Sequence, residues 1–388
     1  MMKRRDFLEW SGLALAGAAL PGGAWAAGAA GEAQGTGEAG HQLIQLTERP
    51  QNLATPLEFF DRAITPTDVF FVRSHFGPPA LNPKRRLRVG GMVGHALDLG
   101  PEDLKGFEEV KITCVLQCGG NGRSFHRPRV PGVQWGHGAM GQAEFTGVRL
   151  ADVLKKAEVQ AGAGHVQLVG ADTPPKPTVP RFVRSIPLER AMDPTTLIAY
   201  RMNGEPLTLA HGAPLRLVVP GWTGNHWLKW LSEVNVQKDE QDGFYMQTGY
   251  RYPKQPIQPG QAVPPDQTMP LSVMPVKSII GRPGQGTTVK VGPQEVVGVA
   301  FSGTAAIKRV EVSVDEGQNW TEAALEGEGG PGRWQVFRYR FEVTAPGTYQ
   351  VMARATDAQG NTQPKEPNWN PSGYLWNAWH SVTWAVVA

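Results

Sequence analysis

Glycine and proline punctuate this chain so often that long helices have little room to form. Of 388 residues, 47 are glycine and 33 are proline, and either residue weakens or breaks a helix interior. Few long periodic runs remain, which predicts a β-rich, loop-heavy fold. The length suits two domains, or one large one, and allows a sizeable buried core. The formal charge of +3 carries no block of one sign, so nucleic acid is not an expected partner.

The first 26 residues read as an export signal. Lys3-Arg4-Arg5-Asp6-Phe7-Leu8 is a twin-arginine pattern, Leu13 to Leu20 is apolar, and Ala24-Trp25-Ala26 offers a small-x-small cleavage site. The apolar run is too short to cross a bilayer, and no later segment resembles a membrane span. A periplasmic protein, exported already folded and without a membrane anchor, is therefore expected. Residues 27–42, rich in Gly, Ala and Glu, read as a flexible lead-in.

Cys114 and Cys118 are the two cysteines of the chain. Val110 to Leu116 is rich in β-branched residues and predicts a strand. Four residues of strand span roughly 13 Å, whereas a disulfide needs Cα atoms within about 7 Å. An intrachain bridge is thus disfavoured. A zinc pair is weak as well, since Cys-x3-Cys without a second pair is half a site. Cys114, in mid-strand, reads as a small buried apolar residue. Cys118 stands where the strand gives way to Gly119-Gly120-Asn121-Gly122, with Arg123 five residues on. A thiolate there is either a nucleophile or a single metal ligand, and spacing leaves both open.

The words around Cys118 carry more. Gln117-Cys118-Gly119-Gly120-Asn121-Gly122-Arg123, then Trp135-Gly136 and Glu144 to Leu150, resemble the sulfite oxidase family of molybdenum enzymes. So do Phe71-Val72-Arg73-Ser74-His75, His211 to Arg216, Lys229-Trp230-Leu231, Asp242 to Arg251 and Trp376 to His380. The likeness runs from about Phe59 to the end and is strongest to bacterial periplasmic sulfite dehydrogenases. It implies an α+β protein: a mixed α/β molybdopterin domain followed by an immunoglobulin-like β-sandwich. It also implies molybdenum held by a pterin without an attached nucleotide, with Cys118 as the protein's thiolate ligand.

From the same resemblance come the remaining site residues. Arg73 and Arg123 would hold a small oxyanion, sulfite, through planar paired donors. Tyr250 would hydrogen-bond the reacting group and relay a proton, and Trp135 would form an apolar wall. Phe71, His75, Asp172, His211, Arg216, Trp227 and Lys229 would contact the pterin. One departure stands out: Ser381 follows Trp379-His380, where vertebrate members carry a third anion-binding arginine. Arg251 or His137 could compensate. No Walker motif is present, so a nucleotide cofactor is not indicated.

Leu150, Val153, Leu154 and Ala157 fall at i, i+3, i+4 and i+7, one amphipathic helix. Leu215, Leu217 and Val219 alternate with Arg216 and Val218, a strand whose arginine faces the cofactor side. Pro253 to Pro270 contains six prolines and reads as an extended linker. Beyond it the pattern turns to period two: Val310, Val312 and Val314, then Phe337, Tyr339, Phe341 and Val343, with a turn at Asp315 to Gln318. Short strands separated by turns suggest the sandwich. The expected divisions are a signal at 1–26, the lead-in at 27–42, a catalytic domain at 43–265 and a dimerisation domain at 266–388.

A homodimer is implied by the resemblance. No Cys-x-x-Cys-His motif is present, so haem is not expected, and a separate electron acceptor such as a c-type cytochrome is implied. Three alternatives stay open. They are a subunit oxidising another sulfur compound, a molybdopterin-dependent sulfoxide reductase, and a cofactor-free exported binding module.

Overall fold

The computed structural model describes residues 42–388. The expected export signal and nearly all of the lead-in lie outside them. Among the described residues strands far outnumber helices, and the one α-helix longer than a single turn is Leu150–Ala157, the segment whose apolar spacing predicts it. The α/β mixture expected of the first domain is therefore weighted toward β, because glycines and prolines cut every other helical stretch to about one turn. No described helix is long and apolar enough to cross a membrane.

Two five-stranded sheets build the first half. One is antiparallel and runs in the order Glu205–Pro206, Leu197–Met202, Met140–Arg149, Glu109–Gln117, with Arg216–Val218 also paired to Leu197–Met202. The other runs Leu97–Leu99, Leu87–Gly91, Leu231–Gln237, His165–Gly170, Val183–Pro187. Its Leu87–Gly91 and Leu231–Gln237 pair is parallel. Between the sheets lies a core of side chains such as Leu87, Phe145, Leu154, Val166 and Leu217. The predicted strand around Cys114 spans Glu109–Gln117 and pairs with Met140–Arg149 along its whole length.

The second half is an eight-stranded sheet that closes on its own core, centred on Val310, Phe337, Val351 and Trp384. The period-two runs occupy Ile307–Ser313 and Gln335–Val343. The expected linker departs from prediction. Its two ends pair with each other, Arg251–Pro253 against Thr268–Pro270, and the Arg251 Nε also donates to Thr268 Oγ1 at 2.7 Å. The prolines lie mostly in the loop so closed.

The halves share a buried seam. Phe60, Val115 and Met140 from the first pack with Met274, Val299, Phe301 and Trp334 from the second. Trp334 is 2% exposed, and its indole N–H donates to Ala63 O at 2.9 Å. Gln142 Oε1 accepts from Trp334 N at 2.7 Å, and Val115 N donates to Gly332 O at 2.7 Å. Removal of a fully packed aromatic costs about 3–5 kcal/mol. Trp334→Ala is accordingly expected to destabilise the protein by that amount in denaturant unfolding. Both halves should lose structure together, whereas separated transitions would show the seam to be non-essential.

Candidate active site

The site starts at the end of the Glu109–Gln117 strand. Cys118 N donates to Ala139 O at 2.9 Å, and Asn121 N donates back to Cys118 O at 2.9 Å. Asn121 Oδ1 accepts from Ala139 N at 3.1 Å. The loop is thus tied to the neighbouring strand on both sides of the thiol. Gly122 has φ of +88°, and a Cβ there would lie 2.5 Å from Trp376 Cβ. Only glycine suits that conformation and that approach. Both cysteines are free thiols, and burial pushes the Cys114 thiol far up, as expected of a packing residue.

Cys118 opens on a partly enclosed cavity. Phe71, Arg73, His75, Asp172, His211, Arg216, Trp227, Lys229 and Tyr250 line it too, so ten of the twelve residues expected from sequence converge. They arrive from widely separated segments. Arg73 ends the short Val72–Arg73 strand, Asp172 follows His165–Gly170, Arg216 opens Arg216–Val218, and Lys229 precedes Leu231–Gln237.

The lining is cationic. Arg73, Arg216 and Lys229 face it, Asp172 is the carboxylate among the lining residues, and among the described residues none of the three cations has a carboxylate within ion-pair distance. Arg216 Nη1 donates to His211 O at 3.0 Å, while its buried Nε has no partner among the described residues. The guanidinium lies over Phe145 and Trp227, 5.5 and 5.8 Å from their ring centroids. Lys229 Nζ donates to Ser74 Oγ at 3.0 Å and Ala210 O at 2.9 Å. Burial, then the Arg216 charge, lowers its pKa to about 7. Burial likewise lowers Arg216 to about 10 and raises Asp172 to about 6. Cations so desolvated and so close to one another require an anion.

His75 joins the two ends of this surface. Its Nδ1 accepts from Arg73 Nη2 at 3.1 Å and from the Tyr250 hydroxyl at 3.4 Å, which leaves Nε2–H to donate to the Tyr245 hydroxyl at 2.9 Å. Burial and the Arg73 charge hold the imidazole well below its ordinary pKa, so it is neutral. His211 is fixed similarly: Nδ1 faces Thr208 Oγ1 at 2.8 Å and Nε2 faces Phe70 O at 3.3 Å, and burial lowers its pKa to about 4.

Two expected residues do not line the cavity. Arg123 donates from Nε to Ser372 O at 2.8 Å and from Nη1 to Val133 O at 3.0 Å, bracing the loop from behind. Trp135 is fully buried behind Phe71, edge to face at 6.4 Å. It supports the wall without forming it. Ser381 Oγ accepts from Gln350 Nε2 at 2.9 Å between neighbouring strands. Neither Arg251, tied to Thr268 and the Met246 carbonyl, nor His137, packed on His380, reaches the cavity. Phe182, Asn225 and Trp230 line it without having been singled out. So does Tyr245's partner role go unpredicted, although Tyr245 lies inside the quoted Asp242 to Arg251 stretch.

The residues fit a metal bound through an anionic organic chelator. Among the described residues no three His, Cys, Asp or Glu side chains converge on one point. A metal beside Cys118 must bring most of its own ligands, and a single thiolate suits a soft-ligated ion. The unpartnered Arg216 Nε and the Lys229 ammonium suit a phosphate, and Asp172 suits a ring N–H.

Residues 75–245 match the oxidoreductase molybdopterin binding domain, and residues 268–386 match the Mo-co oxidoreductase dimerisation domain. The chain is 38% identical over 365 residues to the mitochondrial sulfite oxidase of Rattus norvegicus, covering 89% of this chain and 66% of that protein. It therefore spans just under two thirds of that relative's length. Against the sulfite oxidase of Arabidopsis thaliana the identity is 34% over 349 residues, 82% of this chain and 87% of that one. The solved sulfane dehydrogenase SoxCD from Paracoccus pantotrophus superposes with a TM-score of 0.75 at 29% identity, over 92% of this chain and 93% of that chain.

Asp172 supplies a pH test in cofactor-free protein. Its folded pKa, about 6, exceeds the unfolded value of 3.8. The folded state thus holds the extra proton between those values, and its stability contribution is present below about pH 4 and lost as pH rises through 6. The urea midpoint should fall across that interval in the wild type and lose that component in Asp172→Asn.

Proposed function

The chain belongs to the sulfite oxidase family of molybdenum oxidoreductases, and from that premise we propose that it oxidises sulfite to sulfate. Its electrons then pass one at a time to a separate acceptor, such as a c-type cytochrome, in the periplasm. The observation that carries this reading is the placement of Cys118, Arg73 and Tyr250 on one cation-lined cavity. Cys118 would ligate molybdenum, and Arg216, Lys229, His211 and Asp172 would hold the pterin and its phosphate. When bound, that group supplies the oxygen-transfer chemistry and stores the two electrons.

The protein's own part is to bind, aim and manage protons. Arg73 presents a planar guanidinium donor to an oxyanion. Three acceptors, Asn52 Oδ1 at 3.3 Å, the Ser74 carbonyl and His75 Nδ1 at 3.1 Å, hold its guanidinium in orientation. Tyr250 carries a hydroxyl within reach of neutral His75, a donor–acceptor pair suited to moving a proton from water during turnover. Because Ser381 offers no third cation, the anion is held mainly by Arg73. The C-terminal half, read as an immunoglobulin-like sandwich, would join two copies in a homodimer, as its match to a dimerisation domain supports.

The likeness to sulfane dehydrogenase favours a second reading, oxidation of a sulfane sulfur in another sulfur compound. Molybdenum content with sulfite- and thiosulfate-dependent cytochrome reduction separates the two. Turnover with sulfite and none with thiosulfate is expected. Cys118→Ser should fold but lose both molybdenum and turnover, and retained molybdenum would overturn the ligand assignment. Arg73→Gln should raise KM for sulfite about tenfold to hundredfold, the worth of one charge-assisted hydrogen bond.

A further inference from the structure

Tyr250 adopts a left-handed backbone, φ +55°, a strained conformation for a non-glycine residue that persists only where its surroundings impose it. Among its surroundings are a buried arginine, Arg184, and a second tyrosine, Tyr374, that neither the sequence motifs nor the cavity lining single out. Arg184, in the Val183–Pro187 strand, is completely buried, with its guanidinium 5.4 Å from the Tyr250 ring centroid. It donates to the Tyr245 carbonyl and approaches His226 Nε2 at 3.1 Å. Among the described residues its Nε has no partner, and no carboxylate lies within ion-pair distance of it. On Tyr250 also stacks Tyr374, at 5.7 Å between centroids and 14° between planes. Tyr374 in turn carries the Arg123 guanidinium at 5.3 Å.

Arg184, Tyr250, Tyr374 and Arg123 therefore form an unbroken series of cation–π, stacked and cation–π contacts. Its third member comes from the C-terminal half. Each pair is of modest strength, but together they fix a ring whose backbone would otherwise relax. The braced Arg123, bound to Ser372 O and Val133 O, anchors one end. The buried strand holding Arg184 anchors the other.

We propose that Arg184 and Tyr374 are positioning residues that aim the Tyr250 hydroxyl into the cavity, so that the C-terminal half completes the reactive site. This rests on the reading of Tyr250 as a group that touches the substrate. It gives Arg123 a role through Tyr374 and not through direct contact with the anion.

A double-mutant cycle tests it. Tyr374→Leu should lower kcat for sulfite about tenfold, with KM changed less than about twofold. Tyr374→Phe, which keeps the stack, should restore most of the rate. In Tyr250→Phe, adding Tyr374→Leu should cost nothing further, because the group being aimed is gone. The tyrosine near-ultraviolet circular dichroism of cofactor-free protein should weaken in Tyr374→Leu and persist in Tyr374→Phe. Losses that multiply in the double variant, or an unchanged rate and dichroism in Tyr374→Leu, would overturn the proposal. If Tyr374→Leu does not fold, Arg184→Gln enters the same cycle with Tyr250→Phe and the same two outcomes. Absence of sulfite turnover in the wild type would defeat the proposed reaction alone, since the dichroism comparison still decides whether the series orders Tyr250.

Discussion

Three cations face one desolvated cavity with a single carboxylate beside them, and much of the surrounding structure follows from that imbalance. Arg73, Arg216 and Lys229 are held by carbonyls, hydroxyls and a neutral histidine instead of by ion pairs. Such an arrangement is costly without an anion, because desolvation and like charge both oppose the charged forms. Lys229 and Arg216 show the cost directly in their lowered pKa values. An anionic group that fills the cavity relieves it, so cofactor binding and folding stability are coupled.

The second constraint is the seam between the halves. The Cys118 loop is fastened to its neighbouring strand through Ala139 and Asn121. Its far side is closed by the C-terminal half, since Leu375 N donates to Gly119 O at 2.9 Å and Trp376 presses on Gly122. The seam core of Phe60, Val115, Phe301 and Trp334 keeps these contacts in register. A loop of the C-terminal half, ahead of its last strand at His380–Val387, can therefore reach the site without contributing to its cavity wall, through Ser372 to Arg123 and through Tyr374 to Tyr250.

Local pattern was legible where it did not depend on partners. The strand ending at Cys118, the helix Leu150–Ala157 and the period-two runs of the second half lie where residue spacing places them, because side-chain period reports directly on which face is buried. The ordered motifs brought together Phe71, Arg73, His75, Cys118, Asp172, His211, Arg216, Trp227, Lys229 and Tyr250. The proline-rich stretch misread as an extended linker shows the limit: its ends pair across some fifteen residues, a long-range contact that composition does not encode.

What the sequence determined by itself was the set of chemical groups: one thiol at a glycine turn, a few cations and a tyrosine, each within a short word. What only the tertiary structure decided was which way they point. Arg123 stands five residues from Cys118 yet turns to backbone carbonyls behind the loop, and Trp135 turns inward behind Phe71. Arg184 and Tyr374, silent in the sequence, meet Tyr250 from two distant segments. Direction is set by packing against residues far along the chain, and no local spacing carries that information.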